Sequence, residues 1–158
     1  SDVCSSDLGE LGAQRFYEIV AADLEFAGDY AAFARAFSDM FTADPAMVDL
    51  AAALRGKLPR YILSNTNPIH IAFIGERFPF LHEFEGHVFS HEVGLEKPDP
   101  AIYHHTEQVF GLTPARTVFI DDIHANVAAA RAAGWHGIQH RDAARTRREL
   151  TNLGIPPI

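Results

Sequence analysis

The stretch from Thr117 to Gly134 constrains the fold of this chain more than any other. It opens with a short apolar run that ends abruptly in Asp121 and Asp122, and an Ala-rich segment then continues to Gly134. Such a run is typical of a buried parallel strand, and the segment after it is typical of a helix that a glycine ends. Because ligands of open α/β sheets bind at the carboxyl ends of strands, the two acids are candidate ligands of a hard cation. Asp122 would equally serve as an ordinary helix cap.

Six further segments of the chain continue the alternation of strand and helix. In chain order they are a strand at Tyr61-Ile62-Leu63, a helix at 68–77 capped by Asn67, a weak strand around His87-Val88-Phe89, a helix from Pro100 that Gly111 stops, a short strand from Trp135 to Gln139, and a helix from Asp142. Strands and helices alternating at this spacing predict an α/β fold with a parallel sheet and helices on its faces.

The region from Gly9 to about Lys57 is predicted to be helical throughout. Apolar residues recur there at helical spacing, and Asp44-Pro45 is a cap followed by proline at the first position of a third helix. The apolar positions are Phe16, Ile19, Val20 and Leu24, then Phe33, Phe37, Met40 and Phe41, then Met47, Val48, Ala51 and Leu54. The aromatic stripe admits a substrate pocket, but apolar helix faces are normally core, so we interpret it as packing between helices.

Composition excludes several classes of partner. With 13 basic and 21 acidic residues the net charge is −8, which argues against nucleic acid or an anionic membrane as the main partner. The one basic cluster, in the polar, helix-like tail, is expected to be a solvated face; it comprises Arg141, Arg145, Arg147 and Arg148. A single cysteine, Cys4, permits no internal disulfide, and no apolar run approaches a membrane span. We therefore expect a cytoplasmic protein, while nothing here indicates an oligomeric state.

Three sites are predicted to converge on one edge of the sheet. Ser64 and Asn65 follow one strand, Asp121 and Asp122 follow another, and Lys97 lies in a loop that leads into a helix. A hydroxyl and the backbone N–H groups of a helix start bind phosphate, and a lysine adds a point charge. One or two carboxylates with the phosphate itself would hold Mg²⁺. Each signal alone is weak, since such turns are usually caps and loop lysines are usually solvated.

Together these residues resemble a known family. The residues that carry the resemblance are Leu63-Ser64-Asn65-Thr66-Asn67, Gly94-Leu95-Glu96-Lys97-Pro98-Asp99-Pro100-Ala101-Ile102-Tyr103 and Val118-Phe119-Ile120-Asp121-Asp122. They look like the second, third and fourth motifs of the haloacid dehalogenase-like (HAD) hydrolases, in the phosphatase branch of bacterial glucose-1-phosphatase and the phosphatase domain of soluble epoxide hydrolase. The resemblance implies a Rossmann-like three-layer core at 58–158 and a small helical cap at 9–57.

The resemblance also implies a role for each candidate residue. Ser64 and the Asn65 backbone would grip the phosphoryl group, and Lys97 would orient the nucleophile and the phosphate. Asp122 would be a Mg²⁺ ligand, with Asp121 a second ligand or an outer-shell partner. The implied activity is Mg²⁺-dependent hydrolysis of a small phosphorylated metabolite, such as a sugar phosphate, through an aspartyl-phosphate.

One part of the family's machinery is not found in the sequence. The family attacks phosphorus with an aspartate on its first strand, in the middle of the sheet. The only candidate, Asp7, follows Ser5-Ser6 rather than an apolar strand and lies in a segment, residues 1–8, that resembles a non-native tail. We therefore expect a core lacking its first strand, between the strands that end at Ser64 and at Asp122. A chain of this kind is expected to be inactive, marginally stable and prone to aggregate when alone.

Two other functions remain open at this stage. A haloacid dehalogenase uses the same aspartate on carbon without a metal, and the Asp121-Asp122 pair favours the metal-dependent reaction over it. A non-catalytic module that retains the phosphate-binding edge is the alternative from a different class, because fold does not determine function.

Overall fold

The computed structural model describes residues 13–38 and 41–155, so that the tail at 1–8, Asp7 and Met40 lie outside the described residues. The helices are α1 (Ala13–Asp23), α2 (Tyr30–Ser38), α3 (Pro45–Leu54), α4 (Pro68–Arg77), α5 (Ser90–Val93), α6 (Pro100–Phe110), α7 (His124–Ala132) and α8 (Ala143–Asn152). The strands are β1 (Tyr61–Ser64), β2 (Gly86–Phe89), β3 (Val118–Asp121) and β4 (His136–Gln139). The α/β prediction is confirmed. The region 9–57 is not helical throughout, because residues 24–29 and 41–44 are not helical, and Leu24 lies just after α1 with 69% of its surface exposed.

The four strands pair two by two. β1 is parallel to β2, with Ser64 opposite Phe89 at the carboxyl end, and β3 is parallel to β4, with Asp121 opposite Gln139. The described strands thus form two two-stranded parallel sheets. The resemblance places the family's first strand between the strands that end at Ser64 and at Asp122, and that arrangement stays a prediction.

Helix starts follow the local signals in the sequence. Asp44, Asn67, Asp99 and Asp142 each accept a hydrogen bond from a backbone N–H in the first turn of the helix that follows, and proline occupies the first turn of three of these helices. α7 differs, because it begins after Ile123 with no side-chain cap. Asp122 therefore does not cap the helix, and that alternative for its role is wrong.

The chain divides into two compact units. The first holds the described residues up to Ala43 together with Tyr61–Gly94. Its core is aromatic: Phe16, Phe33 and Ile69 are buried, and Phe37 is among the partly buried side chains packed against them. The interpretation of the phenylalanine stripe as helix packing is supported by this cluster.

The second compact unit holds Asp44–Arg60 and the described residues from Leu95 onward. Leu50 of α3 is buried with Ile138 of β4 and Leu150 of α8. Thus α3, which belongs to the 9–57 region predicted as the cap, packs within the same unit as β3 and β4. The assignment of 9–57 to a cap and of 58–158 to a core stays a prediction, since the two compact units divide the chain at other residues.

The packing of α7 on β4 depends on Gly137. A Cβ atom at this position would lie 2.8 Å from Val127 Cγ1 and 2.9 Å from Arg131 Cγ, both on α7. The same Arg131 donates two hydrogen bonds to the Gly137 carbonyl, at 3.0 and 2.7 Å. The absence of a side chain therefore permits the helix to approach the strand closely.

Within the described part of the chain, none of the helices combines the length and the apolar character that crossing a bilayer requires.

Candidate active site

Lys97 and Asp121 form an ion pair at the carboxyl end of β3. The Nζ to Oδ2 distance is 2.7 Å, and the two side chains are only 9% and 7% exposed. The Lys97 ammonium also lies 5.4 Å from the centroid of the Phe119 ring, whose face attracts a cation. The second compact unit thus brings together two of the predicted site residues, one from the loop before α6 and one from the last position of β3.

The carboxylate of Asp121 is occupied by further donors. Oδ1 accepts from the Ile123 backbone N–H at 2.8 Å, and the Asn126 amide lies 3.3 Å from Oδ1 and 3.1 Å from Oδ2. A carboxylate offers about four lone-pair positions. With Lys97 included, four donor contacts surround the two oxygens of Asp121, so its neighbours hold this carboxylate in one orientation.

Asp122 has a different environment. Its residue is exposed, while its backbone carbonyl accepts a hydrogen bond from Gln139 Nε2 at 3.1 Å. The adjacent acids therefore separate into a buried, paired carboxylate and a solvent-facing one. Among the residues that the structure describes, no three His, Cys, Asp or Glu side chains cluster as a ready-made metal site.

Two residues of this site were missed by the sequence reasoning. Asn126 is 4% exposed in α7, and its backbone carbonyl accepts a 2.8 Å hydrogen bond from the hydroxyl of Tyr103, which is 0% exposed. Asn126 had a usable signal, because it is a polar residue at the start of an otherwise Ala-rich helix. Tyr103 is the last residue of the third motif, and no role was predicted for it there.

The negative charge of Asp121 affects the pKa of Tyr103. Burial, and then the negative charge of Asp121, raise the pKa of the Tyr103 hydroxyl to about 12. The phenol therefore remains a hydrogen-bond donor at any physiological pH. Its bond to Asn126 fixes the start of α7, and Asn126 in turn restrains the Asp121 carboxylate.

The other predicted site residues belong to the first compact unit. Ser64 is the last residue of β1, and the exposed Asn65 opens the turn that leads into α4. Asn67 caps that helix by accepting from the His70 N–H at 2.9 Å. The strand, turn and capped helix agree with the prediction. That Ser64 and Asn65 share a site with Lys97, Asp121 and Asp122 stays a prediction.

Comparison with known proteins decides the family. The haloacid dehalogenase-like hydrolases match residues 8–134. The chain belongs to this family. One relative of this HAD-like hydrolase is the sesquiterpene phosphatase astK of Aspergillus oryzae. The two sequences are 31% identical over 111 residues, which cover 70% of this chain and 57% of that protein. A phosphatase of Mycobacterium tuberculosis is 31% identical over 150 residues, which cover 92% of this chain and 64% of that protein.

Solved structures agree with this membership. A HAD family enzyme from Bacteroides thetaiotaomicron, crystallised in complex with magnesium and inorganic phosphate, matches with a TM-score of 0.79 and 25% identity over 87% of this chain and 73% of that chain. The Rossmann-like fold class is thereby confirmed. This HAD-like hydrolase spans about three-fifths of the length of the two phosphatase relatives.

Proposed function

We propose that this HAD-like hydrolase is, with its first strand, a Mg²⁺-dependent phosphomonoesterase acting on a small phosphorylated metabolite. The observation that carries the proposal is the buried Lys97–Asp121 pair beside the exposed Asp122, at the carboxyl end of β3. The phosphatase names of two relatives and the magnesium and phosphate in a related crystal structure support it.

The residues present fit a magnesium ion through Asp122. Mg²⁺ takes oxygen ligands and is commonly held by one or two carboxylates, water and the substrate phosphate. Asp122 would hold the ion, because its side chain faces solvent, whereas donors already surround the oxygens of Asp121. When bound, the ion neutralises part of the phosphate charge. Asp121 would then act behind Asp122, by fixing Lys97.

The chain's own groups would bind and orient the ester. The Ser64 hydroxyl and the Asn65 N–H would donate to phosphate oxygens, and the Lys97 ammonium would stabilise the charge that develops in the transition state. The attacking group is the aspartate of the family's first strand, which forms the covalent aspartyl-phosphate. In the sequence, Asp7 does not follow an apolar strand. We therefore propose that the 158-residue chain alone has no turnover, and the Asp7→Asn variant serves as a control.

The proposal is tested with two proteins, the 158-residue chain and the same chain preceded by a first strand ending in Asp-x-Asp. We expect the extended protein to release phosphate from p-nitrophenyl phosphate with Mg²⁺ and to lose that activity with EDTA, and the shorter chain and its Asp7→Asn variant to be equally inactive. Sugar phosphates and isoprenyl phosphates are then screened for the natural substrate. Chloride release from 2-chloropropionate, with no phosphate release, would identify a dehalogenase instead.

Two further expectations accompany the proposal. The region 9–57 would act as the cap that selects the substrate, and the protein would work in the cytoplasm. Neither nucleic acid nor membrane is proposed as a partner.

A further inference from the structure

The hydroxyl of Ser90 binds the backbone of Thr66 on both sides. Ser90 Oγ accepts a hydrogen bond from the Thr66 N–H at 2.9 Å and donates one to the Thr66 carbonyl at 3.1 Å. The two residues are 24 positions apart in the chain, and both belong to the first compact unit. Thr66 is only 5% exposed, so its backbone groups are poorly placed to bond to bulk water instead.

The need for this contact follows from the way the ladder of β1 and β2 ends. Ser64 and Phe89 are the last paired residues, and at Ser90 the chain turns into the short helix α5. In the second sheet a backbone group extends the ladder past its last pair, since the His140 N–H donates to the Asp121 carbonyl at 2.9 Å. In the first sheet the side chain of Ser90 contacts Thr66, two residues beyond the last paired residue Ser64.

The consequence falls on Asn65. On one side of this residue, Ser64 is restrained by its pairing in the β1–β2 ladder. On the other side, the Ser90 hydroxyl restrains both peptide groups of Thr66. Donors that are fixed before the reaction stabilise developing charge without the cost of reorientation. We propose that Ser90 is a positioning residue, which holds the Ser64-Asn65 turn in the conformation that binds the phosphoryl group. This inference rests on the proposed phosphatase function.

The double contact restricts which side chains can replace Ser90. A single atom must donate and accept at once, which a hydroxyl does and a thiol does only weakly. Alanine does neither, and it leaves the N–H and the carbonyl of Thr66 without this partner. Threonine keeps the hydroxyl, so Ser90→Thr is the variant that should rescue the function.

The experiment uses the extended protein that carries the first strand. Wild type, Ser90→Ala, Ser90→Thr and the control Thr151→Ala are compared for kcat and KM on p-nitrophenyl phosphate and for inhibition by inorganic phosphate. Thr151 is a matched control, because its hydroxyl also donates to a backbone carbonyl, that of Arg147, but at an exposed position of α8. Thermal melting confirms that each variant is folded at the assay temperature.

We expect Ser90→Ala to lower kcat/KM about ten-fold or more and to raise the inhibition constant of phosphate by a similar factor. Ser90→Thr should stay within about three-fold of wild type and Thr151→Ala within about two-fold. Exchange of the Thr66 amide hydrogen, followed by NMR, should be faster in Ser90→Ala only.

Each other outcome is decisive. An active wild type whose Ser90→Ala variant retains phosphate inhibition and kcat/KM within two-fold would overturn the positioning role while leaving the phosphatase function intact. Loss in Ser90→Ala that Ser90→Thr does not rescue would also overturn it. A wild type that hydrolyses no phosphate ester would overturn the phosphatase function, and this inference with it.

Discussion

The Lys97 ammonium lies 2.7 Å from the Asp121 carboxylate, and less than a tenth of either side chain is exposed. A pair of this kind ties the loop before α6 to the end of β3. Removing one partner leaves the other as a buried charge without compensation, which is far more destabilising than the loss of a surface ion pair. The neighbouring Asp122 is exposed and takes no part in this contact. The two acids can therefore be separated by experiment.

The first prediction concerns these two acids. Asp121→Asn should lower the free energy of unfolding by about 3–5 kcal/mol, because Lys97 keeps its charge in a buried place. Asp122→Asn should change the free energy of unfolding by less than about 0.5 kcal/mol. It should instead raise the Mg²⁺ concentration that the extended protein needs for half-maximal activity. Urea unfolding and a magnesium titration of activity measure the two effects. Equal losses of stability in both variants would contradict the assignment.

Asn126 provides the second prediction. Asn126→Ala removes the amide donor to Asp121 and should lower the free energy of unfolding by about 1–3 kcal/mol. Asn126→Asp places a second carboxylate beside Asp121, and like charges disfavour ionisation, so its deficit should be larger at pH 8 than at pH 4. Asn152→Ala, at an exposed position of α8, is the control for both. A pH-independent deficit in Asn126→Asp would argue against contact with Asp121.

The third prediction concerns acid stability and His70. Burial lowers the pKa of this imidazole from 6.5, and the nearby Phe37 backbone opposes that shift only in part. The ring is stacked 4.7 Å from Phe37 and lies edge-on 4.9 Å from Phe41. The unfolded chain therefore binds the proton more tightly, and stability should fall as the pH drops below 6.5 through the folded-state pKa.

This dependence is measured as the urea midpoint between pH 7 and pH 5. His70→Phe should have a shallower slope than wild type by up to one proton, about 1.4 kcal/mol per pH unit. His82→Phe, at an exposed histidine of the same compact unit, should keep the wild-type slope. Parallel slopes in wild type and His70→Phe would refute the prediction.

The fourth prediction concerns Tyr103 and the loss of stability at alkaline pH. Its pKa is raised to about 12, so the folded state holds the phenol proton between pH 10 and pH 12 while the unfolded state releases it. The stabilisation is complete below pH 10 and is lost as the pH rises to about 12, a change of roughly 2.7 kcal/mol. Tyr103→Phe should lack this part of the dependence. Urea midpoints at pH 9 and pH 11 test it, and an identical drop in both proteins would exclude the effect.

The last prediction concerns the contact of α7 with β4. Gly137→Ala should lower the free energy of unfolding by about 1–3 kcal/mol, because the new methyl group would meet the Val127 and Arg131 side chains at less than 3 Å. Gly75→Ala, within α4, is the contrasting variant, since its methyl group would lie 3.7 Å from the His82 ring, an ordinary contact distance. It should be neutral or stabilising by up to about 1 kcal/mol. Comparable destabilisation by both substitutions would argue against the close packing.

The sequence by itself determined the order of the elements and the family. Caps such as Asp44 and Asn67, prolines after them and the apolar runs act over a few residues, so they can be read without knowledge of the fold. The ordered motifs around Ser64, Lys97 and Asp121 were likewise sufficient to indicate a HAD-like hydrolase.

Only the tertiary structure decided which acid pairs with Lys97, because successive residues at a strand end project to opposite sides and local sequence does not say which side holds the lysine. The same holds for Asn126 beside Asp121 and for Ser90 on the backbone of Thr66. These contacts join residues that are brought together by the packing of helices on strands and by strand register. No pattern of local propensity contains them.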